Sequence, residues 1–378
     1  MSHISEFFMG SLLESIRAAR AAGGKPALLQ LLEILKLRLR QSPIGIGEYF
    51  EYGIWHASIT PDMRDEFIGW RQSGDLDRKL NDVECRVLAE DKLLNYMILC
   101  SKGFPIPTPI ATYCTNGRQI GDEKALRTHD EVRSFLKDEV YPFYVKPISA
   151  GYGHGVLGVT AREDESFRLF DGRRIGLDEF MAPFSFSPYK GMLFQKPLTS
   201  HPDIAEVTGT EAVSCVRFIC LVTSAGPVIH TAFWKITTGR NMLDNFSHGD
   251  YGNCLGAINI GNGTIVRVIS RMGPGGQIER HPTTQKPLLG LALPDWDLAV
   301  DMVCSASRQF PGLRLQNWDV ALCPEGPVLL ELNTESELAI PQAISGHGLK
   351  DLRLREILAD IEQTRAAYRA AVAQRNLN

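Results

Sequence analysis

The segment Tyr144-Val145-Lys146-Pro147-Ile148-Ser149-Ala150-Gly151-Tyr152-Gly153-His154-Gly155-Val156 constrains this chain more than any other. A short apolar run, 143–145, reads as a strand ending on Lys146, and a second run, 156–159, resumes after three alternating glycines. Gly151, Gly153 and Gly155 let the backbone approach a ligand closely. Consecutive N–H groups in such a turn form an anion nest, to which Lys146 adds a point charge for phosphates. The same glycines also suit a plain hairpin bend. The order of parts excludes two common nucleotide sites. A Walker A motif places its lysine after the glycines and opens a helix, and no G-x-x-x-x-G-K-[ST] occurs here. A protein kinase has its lysine one strand after the loop.

A second constraint lies near the C-terminus. Asn317-Trp318-Asp319-Val320-Ala321-Leu322 and Val328-Leu329-Leu330-Glu331-Leu332-Asn333 flank Pro324-Glu325-Gly326, which predicts a β-hairpin. Residues two apart share a face, so Glu331 and Asn333 point one way and Leu330 and Leu332 the other. With an odd loop, Asp319 lies across from Glu331 or Asn333, with Cβ atoms roughly 4.5–5.5 Å apart. A two-residue loop would set Asp319 opposite Leu332 and break the constellation. Two carboxylates so close repel each other and raise a pKa unless neutralised. Hard oxygen ligands from two carboxylates and an amide suit Mg²⁺. A solvated hairpin with unrelated surface charges is the alternative.

The 378 residues carry 40 Lys and Arg against 44 Asp and Glu, a net charge of −4. That balance argues against nucleic-acid binding, which needs a cationic surplus. The length allows two to three domains. Cys85, Cys100, Cys114, Cys215, Cys220, Cys254, Cys304 and Cys323 form no Cys-x-x-Cys pair and no zinc spacing, so free thiols in a reducing, cytoplasmic compartment are expected. Glu6 and Glu14 interrupt any signal-peptide pattern. The most apolar stretch, 26–39, contains Gln30, Glu33, Lys36 and Arg38 and is too short and charged to be a transmembrane segment. It reads as a buried helix or one facing a second copy in a homodimer. The cluster of Lys36, Arg38 and Arg40 leaves membrane-surface association as an alternative.

The first ~90 residues read as helical, with a break at Gly23-Gly24. Lys92 opens a helix that Gly103 ends, and Pro105, Pro107 and Pro109 follow in extended chain. Apolar runs at 143–145, 156–159, 192–194, 216–222, 228–233, 264–269, 315–322 and 328–332 predict strands. Helices are expected near 128–138, 296–309 and 349–374, the last packing through Leu352, Leu354, Ile357, Leu358 and Ile361. The mixture indicates an α+β fold with largely antiparallel sheets.

Taken in order, these parts resemble the ATP-grasp superfamily over about residues 91–345. Lys92 follows Asp91, Lys146 precedes the glycine loop, a hinge runs Leu193-Phe194-Gln195-Lys196-Pro197-Leu198, and Asp319 precedes Glu331-x-Asn333. A narrower likeness is to the sugar-transfer-associated ATP-grasp branch. It is carried by Glu48-Tyr49-Phe50-Glu51-Tyr52, Asn81, Val216-Arg217, Asp244-Asn245-Phe246, Leu293-Pro294-Asp295-Trp296 and Phe310-Pro311-Gly312-Leu313. The resemblance implies a helical module over 1–90, nucleotide-clasping lobes over 91–192 and 193–348, and a C-terminal helix over 349–378.

It further implies that ATP phosphates meet Lys92, Lys146 and the loop from Ser149 through Gly151 and Gly153 to Gly155. Gln195, Lys196 and Leu198 would border adenine, Asp203 or His201 the ribose, and Asp319, Glu331 and Asn333 would hold Mg²⁺. The family's dipeptide-forming members often carry an arginine where this chain has Asn317, and the narrower branch commonly has an asparagine at Ser214. Arg217, Lys235 and Arg240 are candidates to supply the missing charge, a structural ion pair being the alternative for Arg217. His248, Asp250, Glu335 and His347 are candidates for the substrate side. The expected activity is an ADP-forming carboxylate–amine ligase acting through an acyl phosphate on small molecules, an amino acid or sugar derivative among them. A small-molecule kinase and a non-catalytic nucleotide-binding protein are the alternatives.

Overall fold

The computed structural model describes the backbone of residues 2–39, 44–138, 140–150, 155–186, 190–239, 244, 246, 252–334 and 337–375, and their side chains except 2–11, 365 and 368–375. Helices come first: α1 (Ser2–Ala21), α2 (Ala27–Leu39), α3 (Ile46–Glu51), α4 (Pro61–Arg64), α5 (Trp70–Leu80), α6 (Val87–Glu90) and α7 (Lys92–Ser101). Next are β1 (Pro109–Tyr113), β2 (Lys124–Leu126), α8 (His129–Phe135), β3 (Phe143–Pro147), β4 (Leu157–Glu163), β5 (Ser166–Leu169), β6 (Arg174–Gly176), α9 (Leu177–Met181) and β7 (Met192–Gln195). The remainder is α10 (Pro202–Thr208), β8 (Val216–Thr223), β9 (Gly226–Ile236), β10 (Cys254–Asn259), β11 (Thr264–Ile269), β12 (Gln277–Ile278), α11 (Trp296–Ser307), β13 (Leu315–Cys323), β14 (Gly326–Asn333), α12 (Ala339–Ser345) and α13 (Leu352–Arg375).

Two sheets result, ordered β2-β1-β7-β3-β4-β5-β6 and β12-β11-β10-β9-β8-β13-β14. The β1/β2 pair is parallel and the other paired strands run antiparallel. All eight apolar runs read from the sequence are strands. β1 lies in the proline-rich stretch expected only to be extended. β2, β5, β6, β10 and β12 were not expected, and their patterns explain why. β2, β6 and β12 span two or three residues, and β10 is buried at five successive positions, so it shows no alternation.

The first sheet packs Phe143, Val145, Phe167 and Phe194 against Val132 and Phe135 of α8 and Phe180 of α9. Thr128 and Glu131 form a capping box that starts α8. The second sheet is covered on both faces. Phe218, Trp234 and Trp318 meet Leu93 and Tyr96 of α7 and Val303 of α11. On the other face, Ile219, Phe233 and Leu315 meet Leu76 and Leu80 of α5, Ile344 of α12 and Leu354 and Ile357 of α13. Leu352 does not join that packing as expected. It is 70% exposed because it opens α13, before the helix reaches the sheet.

The helical segment is tied to β13 by Asn81. Its Nδ2 donates to Leu315 O at 2.9 Å and its Oδ1 accepts from Leu315 N at 3.0 Å, as an added strand would. Asp82 N donates to Gly312 O at 2.9 Å. Gly312, at φ 77°, lies so near Cys85 Sγ that a Cβ there would sit 2.5 Å from it. The short motifs around Asn81 and Phe310-Pro311-Gly312-Leu313 thus serve as a clasp. The eight cysteines are free thiols. Among the described residues, no helix is long and apolar enough to cross a membrane.

Candidate active site

The two acidic strands meet by an unexpected route. Cys323 pairs with Gly326, so the β13/β14 turn holds two residues, Pro324 and Glu325, and Gly326 takes φ 115°. Continued unbroken, that register would put Asp319 opposite Leu330. Instead the register shifts between Asp319 and Val320: Val320 pairs with Leu329, Asp319 with Glu331 and Asn317 with Asn333. Leu330 is the extra residue of a β-bulge. The expected facing of Asp319 and Glu331 holds, but the bulge produces it rather than an odd loop.

Helix α7 secures that bulge. The Tyr96 hydroxyl donates to Leu330 O at 2.6 Å and accepts from Lys146 Nζ at 2.9 Å. Burial pushes the Tyr96 pKa up, so the hydroxyl keeps the proton it donates. One phenol therefore links α7, the end of β3 and the strand carrying Glu331. Asp91 fixes the start of α7: its Oδ1 accepts from Leu93 N and Leu94 N at 3.1 Å, and Arg118 clasps both its oxygens at 2.8 and 2.9 Å.

Asp319 is clamped by cations from the neighbouring strands. Arg217 Nε and NH2 donate to its Oδ1 and Oδ2 at 2.7 and 2.5 Å, and Lys235 Nζ lies 3.3 Å from Oδ2. Burial disfavours the charged carboxylate, yet Arg217 and Lys235 outweigh it and hold Asp319 well below the usual range. Lys235 also pairs with Asp244 at 3.0 Å, and Asp244 Oδ2 accepts from Cys215 N at 2.9 Å.

Glu331 is differently placed. Its Oε1 accepts from Asn333 Nδ2 at 3.0 Å, while Oε2 stands 3.8 Å from Lys92 Nζ. Burial raises its pKa, but Lys92 and Lys146 more than offset this and leave it lowered. Lys92 Nζ donates to Ala150 O at 2.6 Å. Burial depresses both lysines, Lys146 to about 8. Among the described residues no carboxylate lies within salt-bridge distance of Lys146, so its environment suits an incoming anion. Asn317 carries no charge to this wall. Its Nδ2 donates to Asn333 O at 3.2 Å.

These groups border one cleft of about 1010 Å³ between the two sheets. Lys92, Lys146, Ser149, Gln195, Lys196, Leu198, Arg217, Lys235, Asp319, Glu331 and Asn333 all line it. Gln195 Nε2 also donates to Pro107 O at 3.3 Å. Gly155, at φ 74°, precedes β4 and is not on the cleft wall. Gly151, Gly153, Arg240, His248, Asp250 and Glu335 lie outside the described residues, as does Arg40. His201 and Asp203 do not border the cleft; they start α10, where Asp203 N donates to His201 Nδ1 at 3.2 Å. Nor does the exposed His347. Among the described residues no three His, Cys, Asp or Glu side chains gather as a metal-holding group. The expected set has only two carboxylates, with an amide as third member.

Sequence reasoning missed Tyr96, Arg118 and the contribution of the first ninety residues. Glu48, Glu51 and Tyr52 from α3 and its end, and Trp70 from α5, line the same cleft, with Met272, Glu337 and Ile340 nearby. Glu48-Tyr49-Phe50-Glu51-Tyr52 was a visible motif without a role. Glu48 is spent locally, its oxygens accepting from Tyr52 OH, Gly45 N and Trp70 N.

Among solved structures, the biotin carboxylase from Campylobacter jejuni is 12% identical over 75% of this chain and 48% of that chain, with a TM-score of 0.44. The VanG D-Ala:D-Ser ligase from Enterococcus faecalis is 11% identical over 74% and 64%, with a TM-score of 0.43. The biotin carboxylase domain of the Hydrogenobacter thermophilus 2-oxoglutarate carboxylase is 14% identical over 67% and 41%, with a TM-score of 0.37. The chain thus spans 41% to 64% of the length of these structures. No curated protein matches it. The family described as "Sugar-transfer associated ATP-grasp" matches residues 71–359. That match takes in every strand of both sheets and the helix that carries Lys92 and Tyr96. The fold is the ATP-grasp fold, and the chain belongs to the sugar-transfer-associated ATP-grasp family.

Proposed function

We propose that the protein is an ATP- and Mg²⁺-dependent carboxylate–amine ligase that works through an acyl phosphate and releases ADP and phosphate. The observation that carries this reading is the convergence, in one cleft, of two buried lysines with a facing pair of carboxylates. Lys92 and Lys146 receive the phosphates of ATP, and Lys146, its pKa lowered by burial to about 8, becomes fully charged against them. Ser149, on the cleft wall, borders the same groups. Gln195, Lys196 and Leu198 border the base.

The donor set fits Mg²⁺. Glu331 and Asn333 offer hard oxygens, and Glu331 Oε2 has its nearest cation 3.8 Å away. Asp319 completes the set only by giving up part of its clasp with Arg217 and Lys235. The metal, when bound, neutralises charge on phosphate oxygens.

A substrate carboxylate attacks the γ-phosphate, and the lysines offset the charge that develops. An amine then attacks the acyl carbon. Arg217 and Lys235 provide cationic charge where Asn317 provides none, each such donor typically being worth ~3–4 kcal/mol at the oxyanion.

The neutral Asn317 favours a second reading, a small-molecule kinase on the same scaffold. The two differ in product. Incubation with ATP, Mg²⁺ and panels of amino acids and sugar acids, with ADP and phosphate measured separately, decides. Equal ADP and phosphate that require an added amine support the ligase. ADP without phosphate supports the kinase. Neither product with any acceptor would sink both.

A further inference from the structure

Helix α2 turns most of its leucines outward. Its inner face packs Ile34, with Ala27 and Leu37, against the helical core and holds Gln30, fully buried, with Nε2 donating to Lys25 O at 2.7 Å. Beside it Glu33 is held by Lys25 Nζ at 3.0 Å, Arg64 NH2 at 2.8 Å and the Tyr49 hydroxyl at 2.8 Å. The outer face carries Leu28, Leu29, Leu31, Leu32, Leu35 and Leu39, each 43% to 74% exposed. Single exposed leucines are ordinary, but six along one short helix mark a surface that something covers.

The charges identify the cover. The outward ionised groups of α2 are Lys36 and Arg38, in its last turn, while its one carboxylate is turned inward. The adjoining α1 exposes Arg17 and Arg20 against Glu14. In a chain of net charge −4, this corner is locally positive. A twofold pairing of two copies brings the same patch against itself, and with it the same cations. An anionic lipid surface answers both features, since leucines enter the acyl boundary while Lys and Arg meet headgroup phosphates. At 13 residues, α2 is about 20 Å long, too short to span a bilayer but suited to lying in its surface.

We propose that α2 docks the protein in the plane of an anionic bilayer through its leucine face and its Lys36–Arg38 rim. The test is co-sedimentation of the full chain with vesicles of phosphatidylglycerol and phosphatidylcholine, against phosphatidylcholine alone. Wild type pellets with the anionic vesicles, and added salt weakens this. Lys36→Gln with Arg38→Gln lowers partitioning about thirtyfold, as expected for two surface cations. Leu32→Ser with Leu35→Ser abolishes it. Both pairs are exposed, so unchanged thermal melting verifies that the variants fold. Equal binding to neutral vesicles, binding that neither variant weakens, or no binding at all overturns the proposal. So does a dimer seen by light scattering that the leucine variant converts to monomer, since that assigns the face to a second copy.

Discussion

Asp319 and Glu331 face each other but are bound to different consequences. Asp319 is the anion for two buried cations, so Asp319→Asn strips Arg217 of its carboxylate and leaves Lys235 with Asp244 alone. Loss of one partner from a buried pair costs about 3–5 kcal/mol, and we expect a large fall in the denaturation midpoint as well as in turnover. Glu331 is only loosely paired, so Glu331→Gln should keep most of its stability while ATP turnover falls about 10²-fold or more, with a raised Mg²⁺ requirement. A Glu331 variant with normal Mg²⁺ dependence would remove it from the metal set. Lys146 gives a third expectation. Its pKa near 8 rises when a phosphate arrives, so ATP binding close to pH 8 takes up protons. Calorimetry in two buffers of different ionisation enthalpy reads that uptake directly, and buffer-independent heats would contradict it.

At the scale of elements, the Tyr96 hydroxyl joins α7, β3 and the bulge in β14. Tyr96→Phe removes two hydrogen bonds and leaves the ring packed. A loss of about 1 kcal/mol per bond predicts a kcat/KM for ATP lowered on the order of tenfold, with both lysine and carboxylate wall less well positioned. Unchanged kinetics would show that the bulge holds itself. Most of these elements could be read in advance, because 216–222, 228–233 and 315–322 are apolar runs between turn signals, and Thr128 with Glu131 announces a helix. The bulge could not, since nothing in Leu329-Leu330-Glu331 distinguishes an extra residue from a paired one. Tyr96 was hidden for another reason. Amid Leu93, Leu94, Met97 and Ile98 it reads as helix core, and only the fold brings Leu330 O, 234 residues away, to its hydroxyl. Arg118 was equally silent because its partner Asp91 lies across α7 and β1.

For the whole molecule, pKa values lowered in the fold make stability rise with pH at both ends of the range. Asp319 is lowered in the fold, so its contribution to stability is present above the unfolded carboxylate value of about 3.9 and is lost as pH falls below it. Asp91, also lowered, adds to the same acid transition. Lys146 is lowered as well, and the same linkage acts in the alkaline range. The unfolded chain binds its proton more tightly, so stability rises as pH climbs from about 8 towards about 10. Denaturant midpoints across that range should fall steeply at the acid end and gain at the alkaline end from this group. Replacing Lys146 with Met should abolish the alkaline gain. The first ninety residues belong to the same cooperative whole, since Asn81 binds β13 and Trp70 lines the cleft. Their cleft-facing role was illegible in sequence because each contact spans hundreds of residues.

The bulge at Leu330 also acts as a frameshift in three dimensions. Side chains in a strand alternate, so one surplus residue inverts which positions beyond it look into the cleft. Counting outward along β14 from the Pro324-Glu325 turn therefore assigns the wrong face to every residue past Leu330. Turn length and the orientation of the acidic pair have become separate variables. A one-residue change in that turn can be absorbed at the bulge, leaving Asp319 and Glu331 in register.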